Sequence, residues 1–99
     1  MKLIQYTTHP ERADENEQLI RAVFAELSRT DVADTRYAVL RLADGSFAHL
    51  VDAGAGGGPL VKLDAFRAFQ AQLKGRVLAP PLVREAVLVG NHRMLCEAE

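Results

Sequence analysis

Apolar residues along this chain recur at two spacings, every second residue in four stretches and every third or fourth in two. Lys2 to Thr7 sets Ile4 and Tyr6 on one side against Leu3, Gln5 and Thr7 on the other, which predicts a strand. Thr8-His9-Pro10-Glu11 follows with the order of a capping box: Thr8 can accept from the third helical N–H, Glu11 can reach back, and Pro10 suits a first turn. The helix it opens carries Ala13, Ile20, Val23, Phe24 and Leu27 on one side and ends near Ser28-Arg29-Thr30-Asp31. Arg36 to Leu42 and Phe47 to Ala53 read as strands joined by Ala43-Asp44-Gly45-Ser46. Asp-Gly supplies the positive φ angles of a tight hairpin. With Asp44-Gly45 as the central pair, Leu40 faces His49, Leu42 faces Phe47, Val39 faces Leu50 and Tyr37 faces Asp52. Asp64 is placed to cap a second helix whose Phe66, Phe69, Gln70 and Leu73 share a side and which stops near Lys74-Gly75. After Pro80-Pro81, Leu82 to Val89 predicts the last strand, with Val83, Val87 and Val89 on one face and Leu82, Ala86 and Leu88 on the other.

Strand, helix, strand, strand, helix, strand is the split βαβ order. It implies an α+β, ferredoxin-like βαββαβ domain with a four-stranded antiparallel sheet. At 99 residues the chain is one domain, 1–99, with about 96–99 as a frayed tail. Right-handed crossovers place both helices on one face of the sheet. The strands are apolar on both faces, so the other face has no cover within the chain. Monomers rarely expose an apolar patch above ~600 Å². A second copy is the simplest cover, and at ~25 cal/mol per Å² hiding half such a patch contributes several kcal/mol per subunit before the costs of association. The expected partner is therefore the chain itself, as a homodimer through the open sheet face.

Composition narrows the partners further. A formal net charge of −1 and a pI near 6.3, with Lys and Arg scattered, offer no basic field for nucleic acid. No apolar run of about 18 residues is present and the N-terminus turns polar early, so neither a membrane span nor an export signal is expected. The single cysteine, Cys96, permits no internal disulfide and fits a reducing, cytoplasmic setting. Gly54-Ala55-Gly56-Gly57-Gly58-Pro59 reads as a surface connection. A dinucleotide fingerprint needs glycine where Pro59 stands, and a P-loop needs Gly-Lys-Ser/Thr where Lys62-Leu63-Asp64 stands.

Polar residues that interrupt apolar faces are the candidates for chemistry. Asn16 lies on the helix side of Ala13, Ile20 and Val23, either as a satisfied structural amide or as a group that orients a ligand. His49, in mid-strand between Phe47 and Val51, is the candidate acid/base, against the alternative of a hydrogen-bonded core histidine. Gln70 breaks the second helix's apolar stripe in the same way. The three could converge on a cavity between the layers, with Phe47 and Phe66 as apolar lining or plain core. Tyr37, Arg41 and Asp52 fall on the opposite sheet face in this register, with Tyr37 and Asp52 as a cross-strand pair. His9 and His92 have no second ligand at metal spacing, so no metal site is expected.

Ala13-Asp14-Glu15-Asn16-Glu17, Phe47-Ala48-His49-Leu50-Val51 and Phe66-Arg67-Ala68-Phe69-Gln70, together with element order from Lys2 to about Arg93, resemble the dimeric α/β-barrel superfamily. Within it the resemblance is to small bacterial proteins grouped with the antibiotic biosynthesis monooxygenases. It implies two facing sheets with helices outside. It also implies functions ranging from cofactor-independent oxygenation of phenols through heme degradation and lactone isomerisation to no chemistry at all. Heme-degrading relatives use a helix-borne histidine and a tryptophan; this chain has no Trp and its second helix no His, which argues against heme. Three readings follow. One is an enzyme without bound cofactor acting on a small aromatic or quinone-like compound, with His49 as acid/base and Asn16 and Gln70 orienting. The others are a binder of a small apolar ligand and a structural or stress-related dimer.

Overall fold

The computed structural model describes residues 1–30, 35–53 and 55–94, with the backbone alone at 55–57. β1 (Lys2–Thr7) leads through a 3₁₀ turn (Pro10–Arg12) into α1 (Ala13–Arg29). β2 (Arg36–Arg41) and β3 (Ser46–Asp52) form a hairpin, a 3₁₀ segment (Ala55–Lys62) leads to α2 (Asp64–Ala71) and the single turn α3 (Leu73–Arg76), and β4 (Leu82–Glu85) closes the sheet. All paired strands are antiparallel, in the order β2-β3-β1-β4, which is the ferredoxin-like α+β arrangement expected. Tyr6 and Phe47 from the sheet, Ile20 and Val23 from α1 and Phe69 from α2 pack into one cluster, so both helices cover the same face. A smaller cluster of Ala53, Leu60 and Leu63 fills the end beneath the second 3₁₀ segment.

Local signals were honoured in kind but met by different partners. Thr8 forms no capping box: its N–H and hydroxyl both donate to the Gly45 carbonyl, at 3.3 and 3.4 Å, and it bridges to Val77. The residue thus extends the line of β1, and the helix proper begins only at Ala13. Asp64 is the first residue of α2 rather than its cap. The free Ala65 N–H is taken by the Glu26 carboxylate of α1 at 2.8 Å, while Asp64 pairs with Arg67. A donor at a helix start needs an acceptor, and the neighbouring helix supplies it. The second helical region also runs past Lys74-Gly75 to Arg76, and β4 stops at Glu85, four residues short of Val89.

The hairpin register corrects the expectation by one residue. Leu42 N–H donates to Ser46 O at 2.9 Å and Gly45 N–H to Leu42 O at 3.2 Å, enclosing three loop residues, with Gly45 at φ 87° and Asp44 accepting from Ser46 N–H at 2.9 Å. Val39 therefore faces His49, Tyr37 faces Val51, Arg41 faces Phe47, Leu40 faces Ala48 and Arg36 faces Asp52. A slip of one residue exchanges the faces of a strand. Tyr37, Val39 and Arg41 thus join His49 on the helix side, and Leu40 turns outward with 59% of its surface exposed. The uncovered face carries Leu3, Ala38, Leu40, Ala48, Leu50 and Leu82.

The loop's dependence on a left-handed residue can be measured. Nothing lies within 4 Å of a Cβ built on Gly45 or on Gly90, but only Gly45 has a positive φ. Gly45→Ala is expected to lower the unfolding free energy by about 1–2 kcal/mol in urea titrations, and Gly90→Ala to leave it nearly unchanged.

Candidate functional site

Six elements send polar groups to one buried line between helices and sheet. Tyr6 of β1 and Phe47 of β3 are paired across the ladder, as are Ile4 and His49, which places His49 diagonal to Tyr6 on the covered face. Register brings Tyr37 of β2 to the far side of His49. Asn16 lies on the α1 stripe with Ala13, Ile20 and Val23, all buried, and Arg76 ends α3 with no exposed surface.

Arg76 Nε–H donates to Asn16 Oδ1 at 2.9 Å, Asn16 Nδ2–H donates to Tyr6 Oη at 3.0 Å, Tyr6 Oη meets His49 Nε2 at 2.7 Å, and His49 Nδ1 meets Tyr37 Oη at 2.8 Å. Proton positions follow from one end. A guanidinium can only donate, so the Asn16 atom facing it is the carbonyl oxygen and the amide NH₂ faces Tyr6. The Tyr6 oxygen then receives that proton and gives its own to its other partner, His49 Nε2. A neutral imidazole keeps its proton on Nδ1 and donates to Tyr37.

Burial governs the charges. It pushes the His49 pKa down to about 4, so the ring is neutral near pH 7. The Tyr6 phenol is pushed up to about 12 by burial, although the Asn16 hydrogen bond and the Arg76 charge pull the other way. Tyr37 is raised by burial and then by Tyr6. Arg76 is lowered, again by burial, with the Glu15 carboxylate opposing through space. No described carboxylate forms an ion pair with Arg76; Glu15 itself is paired with Arg12 at 2.8 Å. Instead Arg76 Nη2–H donates to the Phe69 carbonyl at 2.8 Å and Cζ lies 5.2 Å from the Phe69 ring centre, while Nη1 is buried with no hydrogen-bond partner among the described residues. A desolvated cation with an idle donor is suited to hold an oxyanion.

The residues singled out from sequence do not all meet. Asn16 and His49 are joined through Tyr6, and Phe47 stacks on Tyr6 with ring centres 5.7 Å apart. Phe66 is half-buried, 6.5 Å edge-on from Tyr37. Gln70 is exposed, in a cleft of about 530 Å³ with Leu73, Lys74, Val77 and Pro81, away from His49. Two further clefts, about 580 Å³ beside Ile20, Phe24 and Arg41 and about 70 Å³ beside Met1, Leu50 and Leu88, also have neither His49 nor Asn16 in their walls. Among the described residues no three His, Cys, Asp or Glu are grouped to hold a metal, and no helix is long and apolar enough to cross a membrane. Cys96 lies outside the described residues.

Sequence reasoning missed Arg76 and turned Tyr37 the wrong way. The signal for Arg76 is its spacing: Phe69, Leu73 and Arg76 stand at i, i+4 and i+7, so a helix carried past Gly75 puts the guanidinium on the inward stripe.

No family model matches the chain, and no curated protein matches it in sequence. Solved structures match in fold. A protein of Bacteroides thetaiotaomicron, provisionally titled an antibiotic biosynthesis monooxygenase, superposes with a TM-score of 0.69 at 12% identity, over 89% of this chain and 87% of that one. One of Caulobacter crescentus with the same provisional title gives 0.65 at 18% identity, over 88% of each chain. A conserved protein of Methanosarcina mazei gives 0.66 at 13% identity, over 84% of this chain and 86% of that one. At these identities the shared property is the fold.

The buried imidazole makes stability depend on pH. Its folded pKa of about 4 lies below the ordinary 6.5, so the unfolded chain binds the extra proton first. Stability present above about pH 6.5 is lost as pH falls toward 4, by up to about 3 kcal/mol. Urea midpoints across that window should fall for the wild type and stay flatter for His49→Gln.

Proposed function

We propose that this chain is an antibiotic biosynthesis monooxygenase-like enzyme, a homodimer that oxygenates a small aromatic or quinone-like compound without a bound cofactor. The observation that carries the reading is the buried Arg76 guanidinium with its unpartnered Nη1, at the end of a relay through Asn16 and Tyr6 to His49. The fold shared with proteins of that provisional title supports it. Without a cofactor the substrate itself supplies the electrons. A ring CH₂ or phenolic CH takes one atom of O₂, and the other leaves as water with the hydrogens that carbon and its hydroxyl give up. A substrate must therefore be made electron-rich by losing a proton.

The residues divide that work. Arg76 holds the oxygen anion, and Asn16 fixes both the guanidinium and Tyr6. The substrate proton passes to the Tyr6 oxygen as Tyr6 delivers its own to His49 Nε2. Phe47 and Phe66 line the aromatic side. Gln70, exposed on α2, takes part only at the approach. A second reading, a non-catalytic ligand-binding or structural dimer, is favoured by one observation: none of the three clefts reaches His49 or Asn16.

Oxygen uptake with a panel of phenols and hydroquinones tests the reading. His49→Ala and Arg76→Lys are each expected to lower turnover about 100-fold or more while sedimenting as wild type. No uptake by the wild type with any compound overturns the enzyme, and a ligand-induced rise in melting temperature without product would then select the binding module. The dimer has its own check: Leu40→Asp, on the uncovered sheet face, should shift a dimeric wild type to monomer in sedimentation at micromolar concentration.

A further inference from the structure

The cleft between α1 and β2 joins an apolar floor to a rim of guanidinium groups, and it lies outside the relay. Its volume is about 580 Å³, within the range of small-molecule sites. Ile20, Phe24 and Val39 supply the apolar part, with Glu17, Arg21 and Arg41 around it. Arg41 is held over the buried Phe47 ring, its Cζ 5.8 Å from the ring centre. Both carboxylates that reach Arg41 take the same nitrogen: Nη1–H donates to Glu17 Oε1 at 2.6 Å and to Asp14 Oδ1 at 3.0 Å. Its Nε and Nη2 have no protein partner among the described residues. Those two atoms form the edge by which a guanidinium takes a carboxylate through parallel bonds, as Arg12 takes Glu15 in this chain at 2.9 and 2.8 Å.

Charge and shape narrow the occupant. Glu17 is shared between Arg21 and Arg41, and Asp14 stands 93% exposed outside the cleft, so the walls hold two positive charges against one negative. One further negative charge completes the rim. On the floor, Phe24 is half-buried and already stacks on Tyr37, with ring centres 4.9 Å apart and planes at 19°. An aromatic wall of that kind accepts another flat ring in offset stacking. We infer that this cleft is a binding site for a small planar carboxylate of the benzoate or naphthoate class. Its ring lies against Phe24 and Val39, its carboxylate meets the Nε and Nη2 edge of Arg41, and Arg21 adds charge. The site goes beyond the oxygenation proposed above, since neither His49 nor Asn16 borders it. A small anion without a ring leaves the floor uncovered, and a neutral ring leaves the Arg41 edge unmet.

Calorimetry and amide chemical shifts on the full chain, titrated with naphthoate, test the site without any turnover, so this inference and the proposed function fail separately. Naphthoate should saturate with its largest shifts in residues 17–24 and 38–41, and bind about 10-fold or more tightly than the neutral naphthyl alcohol. Arg41→Gln should weaken naphthoate about 10-fold. Arg67→Gln removes the same charge from an exposed arginine paired with Asp64, and should leave binding unchanged. Glu17→Gln should tighten it several-fold, because it withdraws a carboxylate that competes for both cleft arginines. Circular dichroism should show all three variants folded, since each changes an exposed or half-buried side chain. Equal affinity for the alcohol, shifts that map elsewhere, or equal losses in Arg41→Gln and Arg67→Gln overturn the site. So does a wild type that does not saturate at millimolar naphthoate.

Discussion

A cation without a carboxylate partner sits at the inner end of this fold, and the arrangement of the other elements follows from what holds it there. Taking a guanidinium out of water costs several kcal/mol even after relaxation. Arg76 meets that with an amide oxygen, a helix-terminal carbonyl and an aromatic face: Asn16, the backbone of Phe69 and the Phe69 ring. Asn16 is thereby committed in both directions, since its oxygen serves α3 and its NH₂ serves β1 through Tyr6. His49 and Tyr37 continue the line into β3 and β2. The junctions tie β1, β2 and β3 to α1 and α3, so none of these five can shift without leaving a buried polar group unpaired.

That dependence explains what could be read from the residues alone. Strands, helices, their order and the ferredoxin-like plan were legible because each rests on local periodicity, which burial on one covered face enforces. Asn16 and His49 were visible as polar interruptions of that periodicity. The β2 register was not, because Asp44-Gly45 serves a two-residue turn and a three-residue loop equally well. The choice between them is made by where Tyr37 and Arg41 end up: Tyr37 against His49, and Arg41 paired with Asp14 and Glu17 on α1. Arg76 was hidden by Gly75, which reads as a helix stop. Its Cβ position lies 3.6 Å from Arg12 Nη1, and Arg12 Nη1–H donates to the Gly75 carbonyl, so a long-range contact holds the chain at the point where local rules would release it.

The same contrast bears on function. A plan shared at 12–18% identity carries layers and crossings, whereas chemistry lives in the few side chains that break the pattern. Here those side chains form a polar chain with a positive end and a neutral imidazole, closed off from the three clefts. A histidine with a pKa of about 4 is a poor reservoir for protons at neutral pH, so in the proposed reaction its part would be to accept through Tyr6 while an anion forms beside Arg76.

If the proposed function holds, the unpartnered Arg76 Nη1 is what would let a closed interior and a binding role coexist. Leaving one buried donor idle costs about 1–3 kcal/mol, more when the donor is charged. The closed state bears that cost permanently, and an oxyanion reaching Nη1 removes it. Opening the layer is opposed by the contacts of Phe66 and Phe69 with Tyr37 and His49, which an aromatic ring entering between them can replace in kind. A ligand with both features, a flat apolar body and one acidic oxygen, regains on entry what the opening breaks. An apolar ligand without the oxygen leaves Nη1 idle, and a small anion without the ring leaves the aromatic contacts broken. On the proposed function, the interior would therefore discriminate by chemistry before any cavity is formed.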